Sequence, residues 1–502
     1  MSNQDSFESR LRLSAFVFIA AVAILIPLSI LGQGFLPGDD ALFYAAKVIS
    51  GKTWDQIIFH APGMQLEYLR FGWNKILEAV HWISGADQDF LVGFAVVFQF
   101  SLFVLLPCLI FSHAETWIAG LLLLSICIPH EMERFLIGRP MTFSITAFVM
   151  ILLMLGKNNS QPTASTWTLC GTMVALGTYV HAPWYFFFLL PGFILARSWK
   201  KASLLFLTIM AGITVGALLT GHPVEFLGEF YRAYSRLAAH VSNPNFLVTE
   251  LRPIPLNFQV FILVALALFL LKDCRIPLAG TLDNPIFLSF VFGAFAGMRT
   301  GRIWLDIGIP ALAVWLAWQG ELVLKATQGY AGFRKLLTTV IVGGALFLNL
   351  TPDFSERWTS RSREVFLSQE NPFHKGWLPE TGGILYSPNM GIFYDTFYSN
   401  PRADWKYILG FEGSQMRDED YEIRREMLWN RERPEFAKTF LPWIRRMTKA
   451  DRFAVKGLVL EGPFMELEWK YFGSSVSVGR KPLPKSVPKE PLNEVATDSL
   501  RR

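Results

Sequence analysis

Apolar residues in this chain run in long unbroken blocks rather than at the three-to-four-residue spacing of a soluble helix. A bilayer core takes about 20 helical residues to cross, and a hydropathy window of that size marks about eleven segments. They are 13–32, 89–111, 116–130, 140–156, 166–182, 184–197, 203–220, 256–271, 284–298, 303–319 and 335–350. The stretch between the first two, 33–88, predicts two helices lying on the membrane. The first runs from Asp40 to Ser50 and stops at Gly51, a C-cap signal. The second runs from about Met64 to Ile83, with Leu66, Leu69, Trp73, Ile76, Leu77 and Val80 at helical spacing. From Thr351 the pattern becomes that of a soluble α/β domain. Gly383 to Tyr386, Tyr407 to Gly410 and Phe453 to Val459 read as strands, and Glu419 to Trp429 and Pro434 to Met447 as helices. The expected organisation is an α-helical polytopic membrane region over 1–350, an α/β domain over 351–480 and a Pro- and Lys-rich disordered tail over 481–502.

Composition agrees with a membrane protein: of 502 residues, 52% are hydrophobic and only 17% charged. The net charge of +5 is small and dispersed, which argues against a nucleic-acid partner. All four cysteines lie in or beside apolar segments, so no disulfide framework is expected. Arg10 and Arg12 precede the first segment, which is long for a signal peptide and lacks a small-residue cleavage site, so it reads as an uncleaved anchor. Placing those arginines inside also places Lys157, Arg197, Lys200, Lys201, Lys272, Arg275, Lys325, Arg334 and Lys335 inside. The N-terminus is then cytoplasmic, and loop 33–88, loop 221–255 and the C-terminal domain face out.

Candidate chemistry sits on that outer face. Asp39 and Asp40 follow Gly38 directly after the first segment. Asp at a helix start is a common cap, but one cap uses one carboxylate and leaves the other as a base or metal ligand. Arg134, Arg139, Arg299 and Arg302 lie where the positive-inside rule does not put them. Either they pair with Glu131, Glu133 or Asp306 or snorkel to headgroups, or they bind an anion such as phosphate. His60, in His-Ala-Pro-Gly, and His181, in His-Ala-Pro-Trp, sit at similar depth, where a histidine is more often a hydrogen-bonded interface residue than a catalyst. No zinc spacing, P-loop, dinucleotide fingerprint or nucleophile elbow occurs.

Together these residues resemble the GT-C superfamily of integral-membrane glycosyltransferases, which includes the protein O-mannosyltransferases and the lipid A aminoarabinose transferases. The likeness covers roughly residues 10 to 350. It rests on Asp39-Asp40-Ala41-Leu42-Phe43-Tyr44 after a single first segment, Arg139-Pro140 at the fourth, His181 near the fifth, and Arg299 to Pro310. Asp40 replaces the family's commoner Glu, and His60 stands where several relatives have Lys. The resemblance implies transfer of a sugar from a polyprenyl-phosphate donor to an acceptor glycan, lipid or protein on the outer face of the cell membrane. It implies inversion, with Asp39 or Asp40 as base and His60, Arg139, His181, Arg299 and Arg302 on the lipid phosphate. A divalent metal bridging Asp39 or Asp40 to the phosphate is compatible with this scheme and not required by it. Two other classes fit the same charges: a transporter or flippase for a lipid-linked anion, and a non-catalytic assembly factor. Transporters commonly show repeated halves, and none is visible here.

Overall fold

The computed structural model describes residues 3–157, 161–240, 249–255, 257–327, 333–364, 366–430, 436–473 and 476–482; the expected tail beyond 482 lies outside them. Over its described residues, each of the eleven apolar segments falls on helix. Among the described residues, four helices are long and apolar enough to cross a membrane unaided: Arg10–Gly32, Gln88–Cys108, Trp199–Leu218 and Gly301–Ala326. A fifth arises if Pro129–Leu136 and Met141–Gly156 count as one span across a 108° bend. Others, such as Ala114–Cys127 and Pro285–Gly297, are apolar but shorter.

The membrane helices pack through small residues, because lipid supplies no hydrophobic drive between them. Gly212 and Gly216 bring Trp199–Leu218 so near Ala164–Val180 that an added Cβ would lie 2.6 Å from Val174 and from the Ala175 carbonyl respectively. Within Gly301–Ala326, Pro310 has no N–H to offer the Asp306 carbonyl. The preceding turn, Trp304–Gly308, is π-helical, with the Ile309 N–H bonded five residues back to Trp304. Asp306 rides on that widened turn and is fully buried.

In the loop 33–88, Asp40–Ser50 is helical and ends at Gly51 in the left-handed region, φ 64°. The second helix differs from expectation. Leu66–Tyr68 is a 3-10 turn, Arg70 adopts φ 59°, and the α-helix is Phe71–Ser84. Its apolar stripe is not laid on lipid: Leu66, Leu69, Trp73 and Leu77 are buried within the protein, whereas Trp82 and Ile83 are exposed.

The C-terminal part is built on one mixed sheet. Its strands are β1 (Ile384–Tyr386), β2 (Lys406–Tyr407), β3 (Arg452–Lys456), β4 (Gly462–Phe464), β5 (Leu467–Tyr471) and β6 (Val476–Arg480), in the order β2-β1-β3-β6-β5-β4. β1 pairs parallel with β2 and β3, and the remaining pairs are antiparallel. Where a helix is expected over 434–447, Phe436–Phe440 is 3-10 and Leu441–Arg446 is α-helical. A helix not anticipated from the sequence, Met390–Ser399, packs on Asp40–Ser50. Phe43 stacks on Phe411 at 5.0 Å and on Tyr394 at 5.5 Å. The same loop also joins the sheet edge: Ile58 bridges Tyr407, and the Phe59 N–H donates to the Tyr407 carbonyl at 2.9 Å. That pairing covers an edge that would otherwise be open to other chains.

Candidate active site

Asp39 and Asp40 are held differently although adjacent. Asp39 is the N-cap of Asp40–Ser50: its Oδ1 accepts from the Asp40 N–H at 2.6 Å, and its Oδ2 pairs with Arg139. Arg139 reaches it from a tight turn in which Gly138, φ 71°, lies against the backbone of Ala95 and Val96. Asp40 makes a looser contact, 3.5 Å from Arg70 Nη2, while Arg70 Nη1 donates to the Tyr44 hydroxyl at 2.6 Å. Burial raises the Asp40 pKa above the usual carboxylate value, against the opposing pull of Arg70.

Beyond Arg139 the charges continue as a chain. Arg139 pairs with Glu250, whose carboxylate also takes Arg134 at 2.6 Å. Burial by itself would raise the Glu250 pKa, but Arg139, Arg134 and Arg302 together hold it well below its ordinary value. Asp306 accepts Arg134 Nε at 3.0 Å, Arg302 Nε at 3.3 Å and the Tyr185 hydroxyl at 2.8 Å. Four carboxylates thus meet four guanidiniums, which is how so many charges persist close to hydrocarbon.

Two of those guanidiniums also face a cleft of about 90 Å³ that opens to solvent. Arg70, Arg302 and His181 line it from the helical part, and Phe411, Glu412, Ser414 and Gln415 from the C-terminal part. Arg302 uses only Nε toward Asp306, and among the described residues its two Nη groups make no hydrogen bond. The guanidinium lies 5.8 Å from the Trp184 ring. His181 is buried, with Nδ1 3.1 Å from Ser144 Oγ. Such a surface offers free planar donors to an anion beside a carboxylate contact.

The structure therefore brings Asp39, Asp40, Arg139, His181 and Arg302 into one region, but not His60 or Arg299. His60 pairs with Asp55 and bonds the Ala61 carbonyl at 3.0 Å, and is absent from the cleft wall. Arg299 is exposed and also absent from it. Arg70, Glu250, Glu412 and Gln415 belong to the site and are not among the residues the sequence reading singles out. Arg70 carries a usable signal, an arginine in a loop already threaded outside; the others carry none at short range.

Among the described residues no group of three or more His, Cys, Asp or Glu is placed to hold a metal ion. Asp39 and Asp40 are each turned to an arginine.

No family model and no curated protein matches the chain. Among solved structures, ArnT from Cupriavidus metallidurans bound to undecaprenyl phosphate superposes with a TM-score of 0.54 at 13% identity, over 92% of this chain and 97% of ArnT. The apo oligosaccharyltransferase of Archaeoglobus fulgidus gives 0.48 at 10% identity, over 88% of this chain and 69% of that one. The chain has the fold of the GT-C membrane glycosyltransferases, with a small mixed-sheet domain at its C-terminal end. With its apolar helices, that fold makes it a membrane protein.

Proposed function

We propose that the chain is a membrane glycosyltransferase that moves a sugar from a polyprenyl-phosphate donor to an acceptor hydroxyl at the outer face, with inversion. The observation that carries this reading is the contact of Asp40 with Arg70, which lines the same cleft as Arg302 and His181. ArnT, of the same fold, was solved with undecaprenyl phosphate, which supports the donor class.

Asp40 is the base. It takes the acceptor's hydroxyl proton as the acceptor oxygen bonds to the anomeric carbon. The carbon–oxygen bond to phosphate breaks on the opposite face, and the polyprenyl phosphate leaves with the electron pair. A carboxylate of raised pKa is a better proton acceptor near neutral pH. Arg302, through its Nη groups, and Arg70 hold the phosphate and stabilise the charge it gains. Asp39, tied to the helix cap and to Arg139, positions Asp40. His60 and Arg299, away from the cleft, take no part. The N-terminus is cytoplasmic and the C-terminal domain extracytoplasmic, as the basic residues imply.

Purified full-length protein, assayed for transfer from a panel of undecaprenyl-phosphate sugars, tests this. Asp40→Asn is expected to lose at least about a hundredfold in rate, and Asp39→Asn to lose less. Undiminished transfer in both variants sinks the proposal.

A further inference from the structure

The wall of the cleft contributed by the C-terminal domain is chemically unlike the rest. Arg70 and Arg302 present donors, whereas Glu412 and Gln415 present acceptors. Gln415 is 6% exposed, lines the cleft, and its Oε1 is buried with no hydrogen-bond partner among the described residues. A buried amide oxygen left unpaired costs free energy unless something else meets it. Glu412 is half-buried on the same wall, where its carboxylate accepts from the Ser414 backbone and lies in the field of Arg302, Arg424 and Arg70.

This wall is rigidly placed. It is a short 3-10 turn, Gly413–Gln415, with Gly413 packed so closely on Arg424 that a Cβ there would come within 2.6 Å of Nη1. Arg236, from helix Pro223–His240, donates to the Ser414 carbonyl at 2.9 Å and the Met416 carbonyl at 3.0 Å. On the other side, the Ala61 N–H donates to the Gln415 carbonyl at 2.8 Å. Two acceptors fixed in advance are suited to reading the positions of ligand O–H or N–H groups.

We infer that Glu412 and Gln415 form a sugar-binding subsite, accepting hydrogen bonds from hydroxyl or amino groups of the sugar while Arg70 and Arg302 hold its phosphate. This rests on the proposed function and extends it: the C-terminal domain, not the membrane helices, sets which sugar is accepted. A bare polyprenyl phosphate has no group to offer these acceptors, and a sugar-bearing one has several.

The test compares binding of two probes to the full-length protein. One is undecaprenyl phosphate. The other is the tightest binder from a panel of undecaprenyl phosphates carrying glucose, mannose, galactose, arabinose or 4-amino-4-deoxyarabinose. Glu412→Ala and Gln415→Leu are expected to weaken the sugar-bearing probe about ten- to a hundredfold and to leave undecaprenyl phosphate within about twofold, as loss of a hydrogen bond to a buried or charged acceptor implies. Glu412→Gln, which keeps size and one acceptor oxygen, is expected to fall between wild type and Glu412→Ala; all three must match wild type in thermal unfolding. Equal weakening of both probes, or of neither, overturns the subsite. So does a wild-type protein that binds no panel member more tightly than undecaprenyl phosphate. Failure of wild type to bind undecaprenyl phosphate at all defeats the proposed function itself, and is a distinct result.

Discussion

Arg70 Nη2 stands 3.5 Å from Asp40 Oδ2, with the same guanidinium bonded to the Tyr44 hydroxyl one turn further along the helix that Asp40 begins. The pair joins the first residue of Asp40–Ser50 to the N-cap of Phe71–Ser84. It also sets the proton affinity of the proposed base, because Arg70 lowers a carboxyl pKa that burial raises. Replacing Arg70 by Gln removes the lowering influence, so the Asp40 pKa rises further. A base of higher pKa is protonated up to a higher pH. The acid limb of the pH–kcat/KM profile of Arg70→Gln is therefore expected to move to higher pH, and an unmoved limb would show that Asp40 does not govern it.

Asp306 is the common acceptor of Arg134, Arg302 and Tyr185, and it is fully buried. Its removal takes from Arg302 its carboxylate partner among the described residues and leaves Arg134 with Glu250 alone. Asp306→Ala is expected to cost about 3–5 kcal/mol, read as a large fall in the unfolding temperature in detergent or nanodiscs. Tyr185→Phe, which removes one of the three donors, is expected to cost about 1 kcal/mol.

Gly138 occupies φ 71° with the Val96 nitrogen 3.1 Å from where a Cβ would stand. Backbone atoms cannot swing aside as a side chain can. Gly138→Ala is expected to lose about 1–2 kcal/mol from the left-handed conformation alone. It should also shift Arg139 from Asp39, so transfer activity falls more than stability. Assays of both quantities on one preparation check the order.

Asp395, on helix Met390–Ser399, has its pKa pushed up to about 6 by burial, with Arg361 opposing the rise. The folded chain therefore holds this proton more tightly than the unfolded chain, whose carboxyl titrates near 3.9. As pH rises from about 4 to about 6, stability from this group falls, by an amount on the order of 3 kcal/mol. Asp395→Asn is expected to flatten that part of the stability–pH curve and to be the more stable form at neutral pH, measured by thermal unfolding at pH 4.5 and 7.5.

The parts of the site legible in the sequence are those with a local or topological signature. Asp39-Asp40 with Gly51 marked both ends of one short helix, since caps act within a turn of the residues that make them. Arg139 and Arg302 stood out as cations on a face otherwise kept free of them. Arg70 broke the same rule but was hidden in an apolar stripe, and that stripe faces protein rather than lipid. Glu412 and Gln415 reach the cleft only because a sheet domain folds back over a loop some 350 residues earlier, and no spacing announces that. Strands β4 and β5 were missed for a different reason. Their two-residue turn is Met465-Glu466, at φ 51° and 63°, where hairpins usually show Asn-Gly or Asp-Gly.

The backbone pairing of Ile58 and Phe59 with Tyr407 bears on how such a molecule can be taken apart. A graft that exchanged everything after residue 350 for another protein's domain would discard β2 and leave the outer loop without its partner strand. The transplantable unit is instead discontinuous: the sheet with the segment from Ile58 to Ala61, whose N–H groups reach Tyr407 and Gln415. Chimeras cut that way would carry the acceptor wall of the cleft and its fastening together, and inherit the geometry of the donor protein rather than a free edge.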